Sequence, residues 1–506
     1  MSHFPISNSI TDNLYSIKDA RNIDQSALQQ MNDSGILLMK RAGAAALSEL
    51  LEAFGHPSLI TVFCGSGNNA GDGYILAALA SQKNIPVELI ELGNPKKFSQ
   101  ETLQARTFAE QSKVTFFAYD NDIQPNEGVI VDSLLGIGCS GTLKEPYAQA
   151  VKIINDAGLP VLSIDVPSGL DADTGAVVSE AVKADITVTF VCAKKGLFTA
   201  RGPALCGDII YHSLDIPPAI FQQFDPAAQL LDSFSLIDLL PQMEADIHKY
   251  QRGHCMVIGG DLGFGGAAVL AAEASLKTGC GLTSVATQPQ HIGAILARCP
   301  EVMAHGVSSG QQLEPLLERP SVLVVGPGLG RSPWSEQMLQ KALNSGLPLI
   351  LDADALNILA EGRLAHQSNE RQWIMTPHPG EAARLLNTSV TEVQADRFAA
   401  ARKIQEKYKA LVVLKGAGTV IAAENAVIKV CPYGNPAMAT AGMGDVLSGI
   451  IGALLAQGLS MQESAELGCC LHSCAADIAV SERGSRGLVA SDLFLYLHQL
   501  LNREYL

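Results

Sequence analysis

Paired cysteines, charge and aromatic rings are all scarce in this chain. Its eleven cysteines are spread singly, mostly in apolar segments, apart from one close group, Cys469, Cys470 and Cys474, and without a C-x-x-C pair, which argues against a disulfide framework or a thiolate zinc site and for reduced, packed thiols. Only 17% of residues are charged and 5% aromatic, and the net charge of −16 excludes a broad electrostatic grip on nucleic acid or an anionic membrane. No window holds about eighteen uninterrupted apolar residues, and the opening MSHFPISNSI lacks the basic and apolar regions of an export signal. The expectation is a soluble, untargeted protein of the cytoplasm that binds neither nucleic acid nor membrane.

What the chain does have is 506 residues, 47% of them hydrophobic, enough for at least two cores. A long helical stretch from Ile17 to about Phe54 is expected first. Short β-branched runs then alternate with helical segments: SLITVF, PVELIEL, GVIVDSLLG, LPVLSIDVPSG and ADITVTFV. That alternation predicts an α/β fold with a doubly wound, Rossmann-like parallel sheet. Prolines 217, 218 and 226 interrupt regular structure between residues 216 and 240, so the expected domains are 1–225 and 226–506. A second α/β series follows: HCMVIGG, LTSVAT, SVLVVGPGLG, LPLILDADAL, QWIMTPH, ALVVLKG and a hairpin, TVIAAENAVIKV.

The stretch FCGSGNNAGDGY runs from the end of one predicted strand into a helix, where free N–H groups and the helix dipole favour an anion. Gly65, Gly67 and Ala70 satisfy G-x-G-x-x-[GA], and Glu88 and Glu91 follow about twenty residues on, so an ordinary nicotinamide dehydrogenase is one reading. Asn68, Asn69 and Asp72 go beyond that fingerprint, because their side chains can ligate a hard cation or a ribose. At other strand ends stand Asp132, Asp165 and Ser168. In an open parallel sheet these ends converge on one crevice, and an all-oxygen set suits an alkali ion or magnesium rather than zinc. Helix and turn capping is the alternative use of the same residues. The pair Lys194 and Lys195, after a strand, reads as a solvated edge.

GSGNNAGDGY, VDSLLGIG and SIDVPSGLDADTG, in that order, resemble the NAD(P)H-hydrate epimerase family, with Ala70 where the family carries glycine. The resemblance implies potassium held by Asn69, Asp132 and Ser168. It places the hydrated dinucleotide on Asn68, Asn69, Ala70, Gly71 and Asp72, and on Gly136, Ile137, Gly138, Cys139, Ser140, Gly141 and Thr142, together with Tyr147 and Asp165. Asp165 is the candidate acid–base residue, since epimerisation at a hydrated ring carbon needs proton movement beside the ring.

In the second half, GNPAMATAGMGDVLSG joins a Gly-rich turn, an aspartate and a helix start. Backbone N–H groups of Ala441 to Gly444 could hold a transferring phosphoryl while Asp445 takes a proton; a helix cap with packing glycines is the alternative. With GGDLGFGGA, GPGLGR, DADAL, TPHPGEAARLL and LKGAGT, this set resembles the ribokinase-like ADP- or ATP-dependent NAD(P)H-hydrate dehydratase family over about residues 245–500, departing from it at Ala437 and Met443. The resemblance implies that Ala267, Gly328, His378 and Asp445 contact the hydrated cofactor. Lys415, Gly416, Ala417, Gly418, Thr419 and Gly444 would bind adenine nucleotide with Mg2+. His378, between two prolines, also reads as a rigid turn residue.

Together the resemblances imply a homo-oligomeric, two-activity enzyme acting on hydrated NADH or NADPH. Two rival expectations are a ribokinase-like small-molecule kinase and, for the first half, a dinucleotide-binding regulatory module.

Overall fold

A computed structural model describes residues 12–31, 34–138, 141–241, 244–364 and 372–503. The chain forms two compact units that divide between Gln229 and Leu230.

The first unit is built on seven parallel strands in the order Thr115–Ala118, Val87–Glu91, Ile60–Cys64, Val129–Ser133, Val161–Ile164, Ile186–Phe190 and Asp208–His212. Ile60–Cys64 and Val129–Ser133 are buried at every position, as central strands of a sheet covered on both faces are, Asp132 and Ser133 included. The order reverses between these two strands, so a crevice opens beyond their carboxyl ends. Their register pairs Phe63 with Asp132 and Cys64 with Ser133, which sets the two following loops side by side.

The single long helix expected at the start is instead two, Ile17–Gln30 and Gly35–Phe54. Ser16 caps the first by accepting the Asp19 N–H, and Ser34 has the extended backbone of a cap ahead of the second. The MNDSG stretch carries turn-forming residues that compete with a continuous helix.

The second unit carries a parallel series in the order Met303–Gly306, Leu282–Thr287, His254–Ile258, Val322–Val325, Leu349–Leu351, Trp373–Met375 and Leu411–Leu414. The expected hairpin, Thr419–Ala422 with Ile428–Cys431, extends it antiparallel, and Asn425 in its turn takes the left-handed conformation. DADAL is not strand: Leu351 ends the strand and Ala353 opens the helix Ala353–Ala360. The apolar helices Gly265–Lys277 and Met443–Ala456 pack together on this sheet.

Among the described residues ten cysteines are free and buried, and no helix is long and apolar enough to cross a membrane.

Candidate functional sites

A cavity of about 590 Å³ lies at the reversal point of the first sheet. Asn68, Asn69 and Asp72, at the start of the helix Asn68–Gln82, form one wall, and Gly136, Ile137 and Gly138 form another. Asp165 reaches it from the end of the strand Val161–Ile164. Other expected residues stand back from the cavity. Ala70 is fully buried, and Gly71 lies against Met39 of the neighbouring helix. Tyr147 opens the helix Tyr147–Asp156, with its hydroxyl 3.4 Å from Ser66 Oγ. Gly141 and Thr142 lie outside the lining, and Cys139 and Ser140 lie outside the described residues.

Asp165 has a backbone φ of +66°, the left-handed region that side chains other than Gly, Asn and Asp rarely occupy. Its Oδ1 accepts from Thr189 Oγ1 at 3.2 Å and from the Phe190 N–H at 3.3 Å, and forms an ion pair with Lys194 Nζ. Lys194 is therefore no solvated edge. It is 2% exposed, donates to the Phe190 carbonyl at 2.7 Å, and lines the cavity. Two further carboxylates share the space. Burial pushes Asp72 well above the usual carboxylate range, with Asp165 and Asp24 adding like charge. Burial also raises Asp24, on the helix Ile17–Gln30, against the opposing pull of Lys194.

Beneath the loops, Asp132 is saturated with protein donors. One oxygen accepts from Ser168 Oγ at 2.6 Å and the Leu134 N–H; the other accepts from Ser163 Oγ and the Ser168 N–H. Asn69 differs: its Nδ2 donates to the Leu135 carbonyl at 3.0 Å, but its buried Oδ1 has no partner. Ser168 Oγ is 3.1 Å from that same carbonyl. An orphaned amide oxygen beside a carbonyl and a hydroxyl fits a hard monovalent cation, to which Asp132 offers charge rather than a free lone pair. Among the described residues no three His, Cys, Asp or Glu side chains are grouped to hold a metal.

In the second unit the strand ends again carry the chemistry. Asp352, 1% exposed, accepts from Thr376 Oγ1 at 2.8 Å, Ser448 Oγ at 2.9 Å and Lys415 Nζ at 2.7 Å. Glu381 lies 4.0 Å from the same ammonium. Asp445 sits in the first turn of the helix Met443–Ala456. Burial first, then the charges of Asp352 and Glu381, push it up to about 7, while Lys415 pulls it down. A side chain at Gly444 would begin 3.1 Å from Lys415 Nζ, so glycine leaves the ammonium room beside the helix start.

His378 caps the helix Pro379–Leu386, accepting the Gly380 N–H at Nδ1 while its own N–H donates to Glu381. Burial, with Lys415 and Arg384, holds its ring below the usual imidazole range. The loop carrying Gly416, Ala417, Gly418 and Thr419 is anchored by Arg397, whose buried guanidinium donates to the Leu414 and Lys415 carbonyls. Ala267 and Gly328 meet: Gly328 has φ +58°, and a Cβ there would lie 3.1 Å from that of Ala267. Gly330 N–H then donates to Asp354, tying this loop to the helix behind Asp352. Met443 is 5% exposed and turns into the protein. Asp352 and Glu381 are functional candidates that sequence reasoning quoted inside motifs without giving them a role.

A family model described as NAD(P)H-hydrate dehydratase matches residues 255–499, and one described as YjeF-related protein N-terminus matches residues 35–196. A bifunctional NAD(P)H-hydrate repair enzyme of Coxiella burnetii is 45% identical over 492 residues, covering 97% of this chain and 99% of that one. One from Vibrio cholerae is 39% identical, covering 96% and 98%. The crystal structure of a ribokinase-like superfamily protein from Enterococcus faecalis is 29% identical with TM-score 0.51, covering 55% of this chain and 97% of that one.

Proposed function

This chain belongs to the family of bifunctional NAD(P)H-hydrate repair enzymes, and from that premise we propose how its two sites divide the work. The enzyme interconverts the R and S forms of hydrated NADH or NADPH and dehydrates the S form at the expense of ADP or ATP. We assign epimerisation to the first unit and dehydration to the second. The observation that carries the reading is the second unit's pairing of a carboxyl poised near 7, Asp445, with a clamped Lys415 at a helix start.

Hydroxide is a poor leaving group and phosphate a good one. In dehydration the hydrate's hydroxyl attacks the terminal phosphorus of the nucleotide, and Asp445 takes the hydroxyl proton. Lys415 and the N–H groups at the helix start neutralise the transferring phosphoryl. The C–O bond then breaks with phosphate departing, and loss of a proton from the adjacent carbon restores the double bond. Magnesium, arriving with the nucleotide, supplies further neutralisation of its phosphates. We assign Ala267 and Gly328, which pack closely, to the hydrated cofactor together with His378, whose ring burial holds below the usual imidazole range.

In epimerisation Asp165, ion-paired with Lys194, moves protons beside the hydrated carbon. A potassium ion would be held by Asn69 Oδ1 and Ser168 near the charge of Asp132, and would supply a fixed positive field beside the loop.

The test is to incubate the protein with both hydrate epimers, K+, Mg2+ and either nucleotide, and to follow the near-ultraviolet absorbance of reduced nicotinamide. Complete recovery is expected. Recovery of one epimer alone removes the epimerase assignment, and no recovery with either nucleotide overturns the reading.

A further inference from the structure

The helix Ile17–Gln30 turns Ala20, Arg21, Asp24 and Leu28 into the cavity of the first unit, a spacing of three and four residues that marks one face. Its other face buries Ile23 and Ala27 in the core. Asp24 therefore lies mid-helix, where it caps nothing. It borders the cavity, is half-buried, and has no hydrogen-bond partner among the described residues. Its electrostatic neighbours are Lys194 and Asp165, and it adds like charge to Asp72 in turn. A carboxyl left without a donor in such a place costs stability and has no structural use.

The chemistry of the substrate gives it one. Water adding to an enamine double bond places its oxygen on the carbon beside nitrogen, because the nitrogen lone pair stabilises the cation formed there. Inverting that carbon means losing the hydroxyl from one face of the ring and adding water to the other. A ring anchored through its dinucleotide tail does not turn over, and Asp165, fixed by Lys194, Thr189 and the Phe190 N–H, reaches one face.

We propose that Asp24 is the second acid–base residue of the epimerase, serving the ring face opposite the one that Asp165 serves. The proposal rests on the epimerase reading of this cavity. In one direction the protonated Asp24 carboxyl gives its proton to the departing hydroxyl, which leaves as water with the C–O electron pair, and the ring nitrogen closes an iminium. Water then attacks the opposite face, and the Asp165 carboxylate takes its proton. In the other direction the two carboxyls exchange roles, and proton exchange with solvent resets them. Burial and the nearby negative charge of Asp165 both favour the protonated form of Asp24 that the first step needs.

The experiment uses the full-length enzyme with K+ and no nucleotide, each purified epimer in turn, and water enriched in oxygen-18. Inversion and label uptake are read together. The wild type is expected to invert both epimers with uptake of label. Asp24→Asn should lower inversion by about 100-fold or more, while one epimer still exchanges its hydroxyl with retention of configuration; Asp165→Asn should show this for the other epimer. Asp24→Glu should restore part of the inversion, and a circular-dichroism melt of Asp24→Asn that superposes on that of the wild type shows that the first unit is folded. Inversion by Asp24→Asn within three-fold of wild type overturns the proposal. So does loss of exchange from both epimers alike, or the one-sided pattern appearing in Asp72→Asn instead. Inversion by the wild type without label means ring opening and overturns the two-face mechanism. A wild type that neither inverts nor exchanges removes the epimerase reading itself, and the proposal with it.

Discussion

Each unit places a lysine against an aspartate at a strand end, yet the two pairs differ in what water can reach. In the second unit Asp352 has 1% of its side chain exposed and is held by Lys415, Thr376 and Ser448; in the first, Asp165 has 15% exposed and borders an open cavity. In both places burial drives a carboxyl beside the pair upward, with like charge adding to it and the lysine opposing it: Asp445 in one, Asp24 and Asp72 in the other. A clamped ion pair thus fixes the field in which its neighbours titrate. The buried pair serves as scaffold, whereas the half-open pair can take part in the chemistry.

The largest expected effect separates the units cleanly. Asp445→Asn should lower kcat/KM for dehydration by about 10²–10⁴ and leave epimerisation of the same sample unchanged, as read by chiral chromatography of the hydrates. Because the base must be ionised, dehydration by the wild type should rise with pH through about 7 and level off above it. Since Lys415 lowers Asp445, any activity left in Lys415→Met should have that limb displaced to higher pH.

The next test breaks the two ion pairs. Lys415→Met strands a buried carboxylate and should cost the second unit about 3–5 kcal/mol, measured by chemical denaturation. Lys194→Met should cost less, because water already reaches Asp165, but should abolish most epimerisation. Equal costs would mean that the difference in exposure has no energetic weight.

The smallest effect concerns Met443, one of the two positions where the second half departs from the pattern it resembles. Its side chain is buried, so Met443→Thr should lower the melting temperature through lost packing while changing the KM for ADP by less than about two-fold. A larger change in KM would place that side chain at the nucleotide.

How much of this was legible depends on where each signal lies along the chain. Loops after β-branched runs announce themselves by Gly, Asn and Asp, and the cavity accordingly gathers Asn68, Asn69, Asp72, Gly136 and Asp165. The strands Thr115–Ala118 and Asp208–His212 escaped notice because they are the two edges of their sheet and only partly buried, so neither shows a continuous apolar run. Lys194 was misread because its partner stands 29 residues away, and nothing local distinguishes a buried lysine from a solvated one. Asp352 and Glu381 lay in quoted motifs, but only parallel pairing of the strands before them brings both toward Lys415. Asp24 follows ordinary helical spacing, and only the cavity singles it out.

The left-handed backbone of Asp165 also channels what mutation can do at that position. Only Asn and Gly share aspartate's ease in that conformation, so a lineage that stops needing this carboxylate can discard the charge quietly by two routes, while β-branched replacements strain the turn as well. Relatives relieved of epimerisation should therefore carry Asn or Gly there first, leaving a readable trace of when the activity was lost.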